Sequence, residues 1–256
     1  VLTHTAVLEP ARLAGTTVTY ATLHHHDYIA QTDIRTGDTL LFRMEGESLH
    51  HIVAVIPDKR PDGAQPYTLP DRCPVCGAEV VRDEDGAALR CTGAECPAQL
   101  LRNLTHFASR NAMDIDGLGP AVIQQLVDSG LVRTAADLYS LRPEQIAELE
   151  RMGQKSARNA VEAIARSRED DLWRLIFALG IRQVGEKAAK VLAARFGSMD
   201  ALSTATEEEL TAIDDVGPIT AKYIRQWMDS PQSQDLLARL KAAGLNMTCK
   251  EEMVDR

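Results

Sequence analysis

No apolar run in this 256-residue sequence approaches the roughly 20 residues that span a bilayer, so no helical membrane span and no membrane partner are expected. The first segment, VLTHTAVLEPARLAG, lacks the charged start and apolar middle of a secretory signal. A basic excess is missing too: 28 Lys and Arg face 37 Asp and Glu, for a formal net charge of −9. Proteins that hold nucleic acid by bulk electrostatics are usually basic. Any such role here has to rest on local groups: helix N-termini, backbone N–H groups and a few placed cations. Catalytic signatures are scarce as well, with no P-loop, no G-x-G-x-x-G and no Ser/His/Asp array. There is no initiating Met, and the chain opens on strand-like residues, which predicts a piece of a longer protein. Hydrophobic content of 45% and charged content of 25% are ordinary for a folded globular chain.

Cysteine is sparse but concentrated. Four of the five fall in one window, Cys73-x2-Cys76-x14-Cys91-x4-Cys96, and Cys249 stands apart. Disulfides belong to oxidising compartments, and nothing in the sequence signals secretion. Two close pairs on a short connector suit two turns that each present two thiolates to one tetrahedral Zn²⁺. Turn residues accompany both pairs: Pro74 and Gly77, then Gly93 and Pro97. Between them Ala78–Arg90 reads as a hairpin, AEVV and AALR around a polar DEDG turn. Four thiolates fill the coordination shell, so the zinc is predicted to be structural and no catalytic residue is assigned.

A repeat follows. PAQLLRNLTHFASR predicts an amphipathic helix entered through a Pro. IDGLGPAVIQQL, LERMGQKSARNA, IRQVGEKAAKVL and IDDVGPITAKYI then align on Gly119, Gly153, Gly185 and Gly217, spaced by 34, 32 and 32 residues. An apolar residue precedes each Gly: Leu118, Met152, Val184, Val216. Apolar residues follow at plus four (Ile123, Ala157, Ala189, Ala221) and plus seven (Leu126, Ala160, Leu192, Ile224). The period also fits tetratricopeptide or ankyrin arrays, but their signatures are absent. Helix, tight turn with an apolar plug and Gly, second helix: this is the helix-hairpin-helix pattern. The Gly is expected to make the sharp turn and allow close approach. The helix that starts there offers free N–H groups to a phosphate. Lys155 and Lys187 lie two residues after their glycines, and Arg158, Lys190 and Lys222 lie five after, where they add charge. Contacts of this kind read backbone and not bases, so binding is expected to be independent of sequence. Repeat one has Gly117 where repeats two and three carry Arg151 and Gln183, which marks those two hairpins as the more structural pair. Trp173, Phe177 and Trp227 fall on apolar helix faces and are assigned to core packing.

Residues 1–68 alternate β-branched runs with turns such as RTGD, which suits a small barrel of the OB type. The stretch 56–71, IPDKRPDGAQPYTLPD, reads as a Pro-rich linker. His24, His25 and His26 are consecutive, and strand neighbours point to opposite faces, so surface or turn positions are expected for them and for His50 and His51. KRPDG at 59–63 imitates the K-x-D-G of covalent nucleotidyltransferases but is one residue too long, and Lys59 is not taken as a nucleophile.

Small barrel, four-cysteine clip, four hairpins: this order resembles the C-terminal half of bacterial NAD⁺-dependent DNA ligase. LEPARLAGTTV with ATLH, DIRTGD, CPVCG with CTGAECPAQ, HFASRNAMDIDGLG and ALGIRQVGEKAA all look like segments of that family. The resemblance covers about residues 2–245. It departs at His4, where the family has Pro, at His25, and in Arg43–His50, where Met44 and Glu45 stand for a basic residue and Ala. It implies an OB domain at 1–68, a zinc finger at 69–97, a domain of four helix-hairpin-helix motifs at 98–246 and a tail at 247–256. It further implies that the chain grips nicked duplex DNA through Gly117, the four repeat glycines and the cations above. NAD⁺ and Mg²⁺ would be used by an adenylation domain of the same parent chain, in a monomer of the bacterial cytoplasm and nucleoid. A non-enzymatic OB plus helix-hairpin-helix scaffold of recombination or repair would share the order of parts but lack the four-cysteine clip.

Overall fold

A computed structural model describes residues 1–23, 26–45, 49–83 and 88–250, with backbone alone at 44–45 and 49–50. His24, His25, the side chains of Met44, Glu45 and His50, the middle of the expected DEDG turn and the end of the tail therefore lie outside the described residues. The chain divides into two compact units: Val1–Pro74 with Glu79–Cys91, and Val75–Ala78 with Thr92–Arg256.

The first unit is built from hairpins. Strands β1 (Thr5–Leu13) and β2 (Thr16–Thr22) pair antiparallel across Ala14 and Gly15, both at positive φ, a two-residue turn that matches strand twist. Pro10 has no N–H to give the ladder, and the register slips between Val7 and Ala11 around it. Helix α1 (His26–Thr32) leads to β3 (Leu40–Glu45), which pairs with β4 (Leu49–Val55). Ala21, Ile29, Ile34 and Ile52 form the small core between these elements. The stretch read as a linker is in fact tied down. The Arg60 guanidinium reaches Asp38 at 2.8 Å and Asp33 at 2.8 Å, and Arg35 donates to the Ala64 carbonyl at 2.8 Å. Bonds from Arg35 and Arg60 hold the Asp33 carboxyl down at about 2. Proline content hid this, because the partners that hold the stretch, Asp33, Arg35 and Asp38, lie outside it. Strands β5 (Val80–Arg82) and β6 (Leu89–Cys91) form the expected finger hairpin.

Helices fill the second unit. Pro97–Gln99 is a short 3-10 turn that feeds α2 (Leu100–Ala108). Each motif then closes on a second helix: α3 (Pro120–Asp128); α4 (Pro143–Ala147) with α5 (Gln154–Ser167); α6 (Leu172–Ala178) with α7 (Glu186–Phe196). After α8 (Met199–Thr204) come α9 (Glu207–Thr211) with α10 (Pro218–Asp229), and then α11 (Pro231–Ala242). The repeat pattern explains the packing. All eight residues at plus four and plus seven from the repeat glycines are 0% exposed, so each second helix buries one stripe in a single continuous core. Trp173, Phe177 and Trp227 pack against that core half-buried, as expected. Residues 246–250 are pinned to it: Asn246 N–H donates to the Arg168 carbonyl at 2.8 Å and Cys249 N–H to that of Gly197 at 2.8 Å. No helix among the described residues is long and apolar enough to cross a membrane.

Candidate metal centre and nucleic-acid interface

The cysteine window folds into two turns whose four thiol sulfurs converge. Cys73, Cys76, Cys91 and Cys96 place their Sγ atoms all within 4.8 Å of one another. A tetrahedron of Zn–S bonds of 2.3 Å has edges of about 3.8 Å, so the cluster needs only a slight contraction to hold the ion. Cys73 and Cys96 are buried, and Cys76 and Cys91 are half-buried. Four sulfur donors with no oxygen or nitrogen suit Zn²⁺ and leave no open position for a substrate, so the site fits a structural zinc. Among the described residues it is the one cluster of His, Cys, Asp and Glu arranged for a metal. His4, one of the family departures, is buried at 9% exposure and sits edge-on to Tyr67 at 5.7 Å between centroids. Burial, and after it the neighbouring His26, pushes its pKa down, which favours the neutral ring there.

The four repeat glycines occupy one and the same structural position. Gly119, Gly153, Gly185 and Gly217 are the N-caps of α3, α5, α7 and α10, all in extended backbone with φ between −73° and −107°. Their carbonyls accept the first helical bond, from Ile123, Ala157, Ala189 and Ala221, at 2.9–3.0 Å. None of the four has a side-chain cap, while α6, α8 and α9 start on Asp171, Ser198 and Thr206, whose side chains do cap. The first N–H groups of the four helices are therefore left for an outside acceptor. A Cβ added at any of these glycines would meet nothing within 4 Å.

The turn itself is made elsewhere than expected. Its left-handed residue lies two positions before each Gly: Gly117 at φ 89°, Arg151 at 62°, Gln183 at 64° and Asp215 at 71°. Gly117 is also confined by packing, since a Cβ there would lie 3.2 Å from the Ala160 Cβ. Repeats two and three thus form the same turn as one and four, and the structure gives no basis for setting them apart as more structural. The plugs Leu118, Val184 and Val216 are buried and Met152 half-buried, which anchors each turn.

The cations differ between hairpins. Lys155 and Arg158 on α5 are exposed beside Arg151, with no acid in the first turn of that helix. On α7, Lys187 Nζ lies 2.9 Å from Asp215 Oδ1, and Lys190 Nζ lies 2.8 Å from Glu186 Oε1 and 4.5 Å from the Trp173 ring centre. Both ion pairs are well exposed and are worth ~1 kcal/mol or less, so a phosphate can displace them. Arg182 stacks on Tyr223 at 5.3 Å, a second tie between the third and fourth hairpins. Lys222 is exposed on α10. After Gly119, α3 carries no basic residue, and Asp114 and Asp116 precede it. The left-handed conformation of these positions escaped sequence reading, as did Gln232, which meets the two cysteine turns. The former had a signal, the fixed offset from each Gly; the latter had none.

Comparison with known proteins places each part. Residues 1–64 match the NAD-dependent DNA ligase OB-fold domain, and residues 72–98 match the NAD-dependent DNA ligase C4 zinc finger domain. Residues 109–166 match a SAM-like helix-hairpin-helix tandem, and 174–237 a helix-hairpin-helix motif. Relatives named DNA ligase include those of Symbiobacterium thermophilum, 54% identical over 96% of this chain, and Pelotomaculum thermopropionicum, 52% identical over 99%. That of Bacillus anthracis is 50% identical over 98%. The chain spans 37% of the length of each of these relatives. The resemblance read from the sequence is borne out: the OB-fold domain at residues 1–64 and the C4 zinc finger domain at 72–98 are those of the NAD-dependent DNA ligase family, and helix-hairpin-helix domains follow them.

Proposed function

We propose that this chain is the DNA-gripping part of an NAD⁺-dependent DNA ligase that seals nicks in duplex DNA. The carrying observation is the set of four uncapped helix N-termini, each with a Gly that leaves its approach open. Phosphates of a nicked duplex would accept the free N–H groups of α3, α5, α7 and α10, with Lys155, Arg158, Lys187, Lys190 and Lys222 adding charge. Gly117 serves by shaping its turn. Zinc on Cys73, Cys76, Cys91 and Cys96 is structural. NAD⁺ and Mg²⁺ act through an adenylation domain elsewhere in the parent monomer, which transfers AMP to the 5′-phosphate before the 3′-OH attacks. The setting is the bacterial cytoplasm and its nucleoid.

Three of the four hairpins carry cations, and neutralising three phosphates gives a slope of log affinity against log salt of about −2.7. Fluorescence anisotropy of a labelled nicked duplex across a salt series measures it. Equal affinity at low and high salt would sink the proposal, as would a strong preference for one base sequence.

A further inference from the structure

The two turns of the cysteine window meet one side chain from far along the chain. Gln232 lies in the first turn of α11, 156 residues beyond Cys76. Its Oε1 accepts from the Glu95 backbone N–H at 3.1 Å, and its Nε2 donates to the Cys76 carbonyl at 3.5 Å. Gly93 makes room for it. A Cβ at that position would lie 2.5 Å from Gln232 Oε1 and 2.9 Å from Cys76 Sγ. Arg239, two turns further on in α11, brings its Nη1 within 3.7 Å of Glu95 Oε1. Only Ser230 separates α11 from α10, the helix that carries the Gly217 N-terminus.

We propose that Gln232 is a positioning residue for the metal. One amide holds the turn of Cys76 and the turn of Gly93–Cys96 at the spacing the ion needs, and so couples ion loading to the fourth hairpin. The inference rests on the zinc reading of the four cysteines. Groups that orient metal ligands from behind commonly change metal affinity ten- to a hundred-fold when removed. Coupling is reciprocal: what the ion contributes to the docking of α11, α11 contributes to retention of the ion.

The test measures zinc release from the loaded chain to a chromophoric chelator, at a temperature where every variant is folded. Gln232→Ala should release zinc about ten-fold faster. Gln232→Glu keeps an acceptor for Glu95 N–H but loses the donor to Cys76, and should fall between. Ile224→Val trims the fully buried face of α10 without touching the window; it should lower Tm yet release zinc at the parental rate. In the zinc-free chain, hydrogen exchange should rise across 231–242 as well as 73–96. Parental release from Gln232→Ala, equal acceleration by Ile224→Val, or an exchange increase confined to 73–96 would each overturn the inference. If Gln232→Ala does not fold, Gln232→Glu and the exchange map decide. A chain that takes up no zinc by elemental analysis would sink the zinc reading itself, which is a distinct result.

Discussion

Gly153→Asp should make the protein more stable and its grip on DNA weaker. Gly153 has φ −107° and ψ 176°, an extended N-cap geometry that Asp adopts without strain. Its side chain would enter open space, since a Cβ there meets nothing within 4 Å. The carboxylate would accept from the N–H groups of the first turn of α5. That helix is 14 residues long and has no acid in its first turn, so its positive end is unbalanced. Cap and dipole together contribute about 0.5–1 kcal/mol. For a unit of this size that raises Tm by about 1–4 °C.

The same carboxylate occupies the donors that a phosphate would use, and it repels the phosphate. A hydrogen bond to a charged group contributes about 1.5–3 kcal/mol, so affinity for a nicked duplex should fall about ten- to a hundred-fold. Thermal unfolding and anisotropy on one preparation read both effects. Gly153→Ala is the control: a poorer cap than Gly, it should lower Tm slightly and weaken binding only by bulk. A raised Tm with unchanged affinity would refute the phosphate role of this N-terminus. A lowered Tm would refute the capping geometry on which the reasoning stands.

Two further outcomes follow from the packing. Gly117→Ala should destabilise by about 2 kcal/mol, because a left-handed residue with a Cβ costs about 1–2 kcal/mol and this one also presses on Ala160 at 3.2 Å; denaturant titration with no change in midpoint would contradict it. Asp170→Asn should stabilise near neutral pH. Burial holds the Asp170 carboxyl up at about 6, with Asp114 adding and Arg174 and Lys250 opposing, and its Oδ2 has no hydrogen-bond partner among the described residues. The folded state then binds more protons than the unfolded state between about pH 4 and 6, so stability falls as pH rises through that window. Discounted for partial exposure, the gain from Asn is about 1 kcal/mol at pH 7.5 and vanishes by pH 4; equal gains at both values would refute it.

What could be read in the sequence was local. The thiolate cluster lies within 24 residues, and the plus-four and plus-seven stripe repeats inside single helices, so spacing alone exposes both. What could not be read depends on contacts between distant segments. Gln232 looks like any polar residue on a helix until Glu95 and Cys76 are brought to it. Pro-rich composition made 56–71 read as a linker, yet Arg60 binds two carboxylates more than 20 residues away. The repeat pattern points to its glycines for the sharp turn, since Gly is the usual left-handed residue. Arg151, Gln183 and Asp215 hold that conformation without being Gly.

That displacement strengthens the functional reading of the repeat. If the four N-cap glycines were needed for backbone shape, their recurrence would say nothing about a partner. They have ordinary negative φ, and a Cβ would meet none of the described residues within 4 Å. Ser, Thr, Asp or Asn would cap these helices at least as well, and this chain uses such caps at α6, α8 and α9. Neither folding strain nor internal packing therefore accounts for a side-chain-free residue at all four positions. Close approach from outside by an acceptor that takes the open N–H groups would account for it, which supports the proposed phosphate role of these four helix ends.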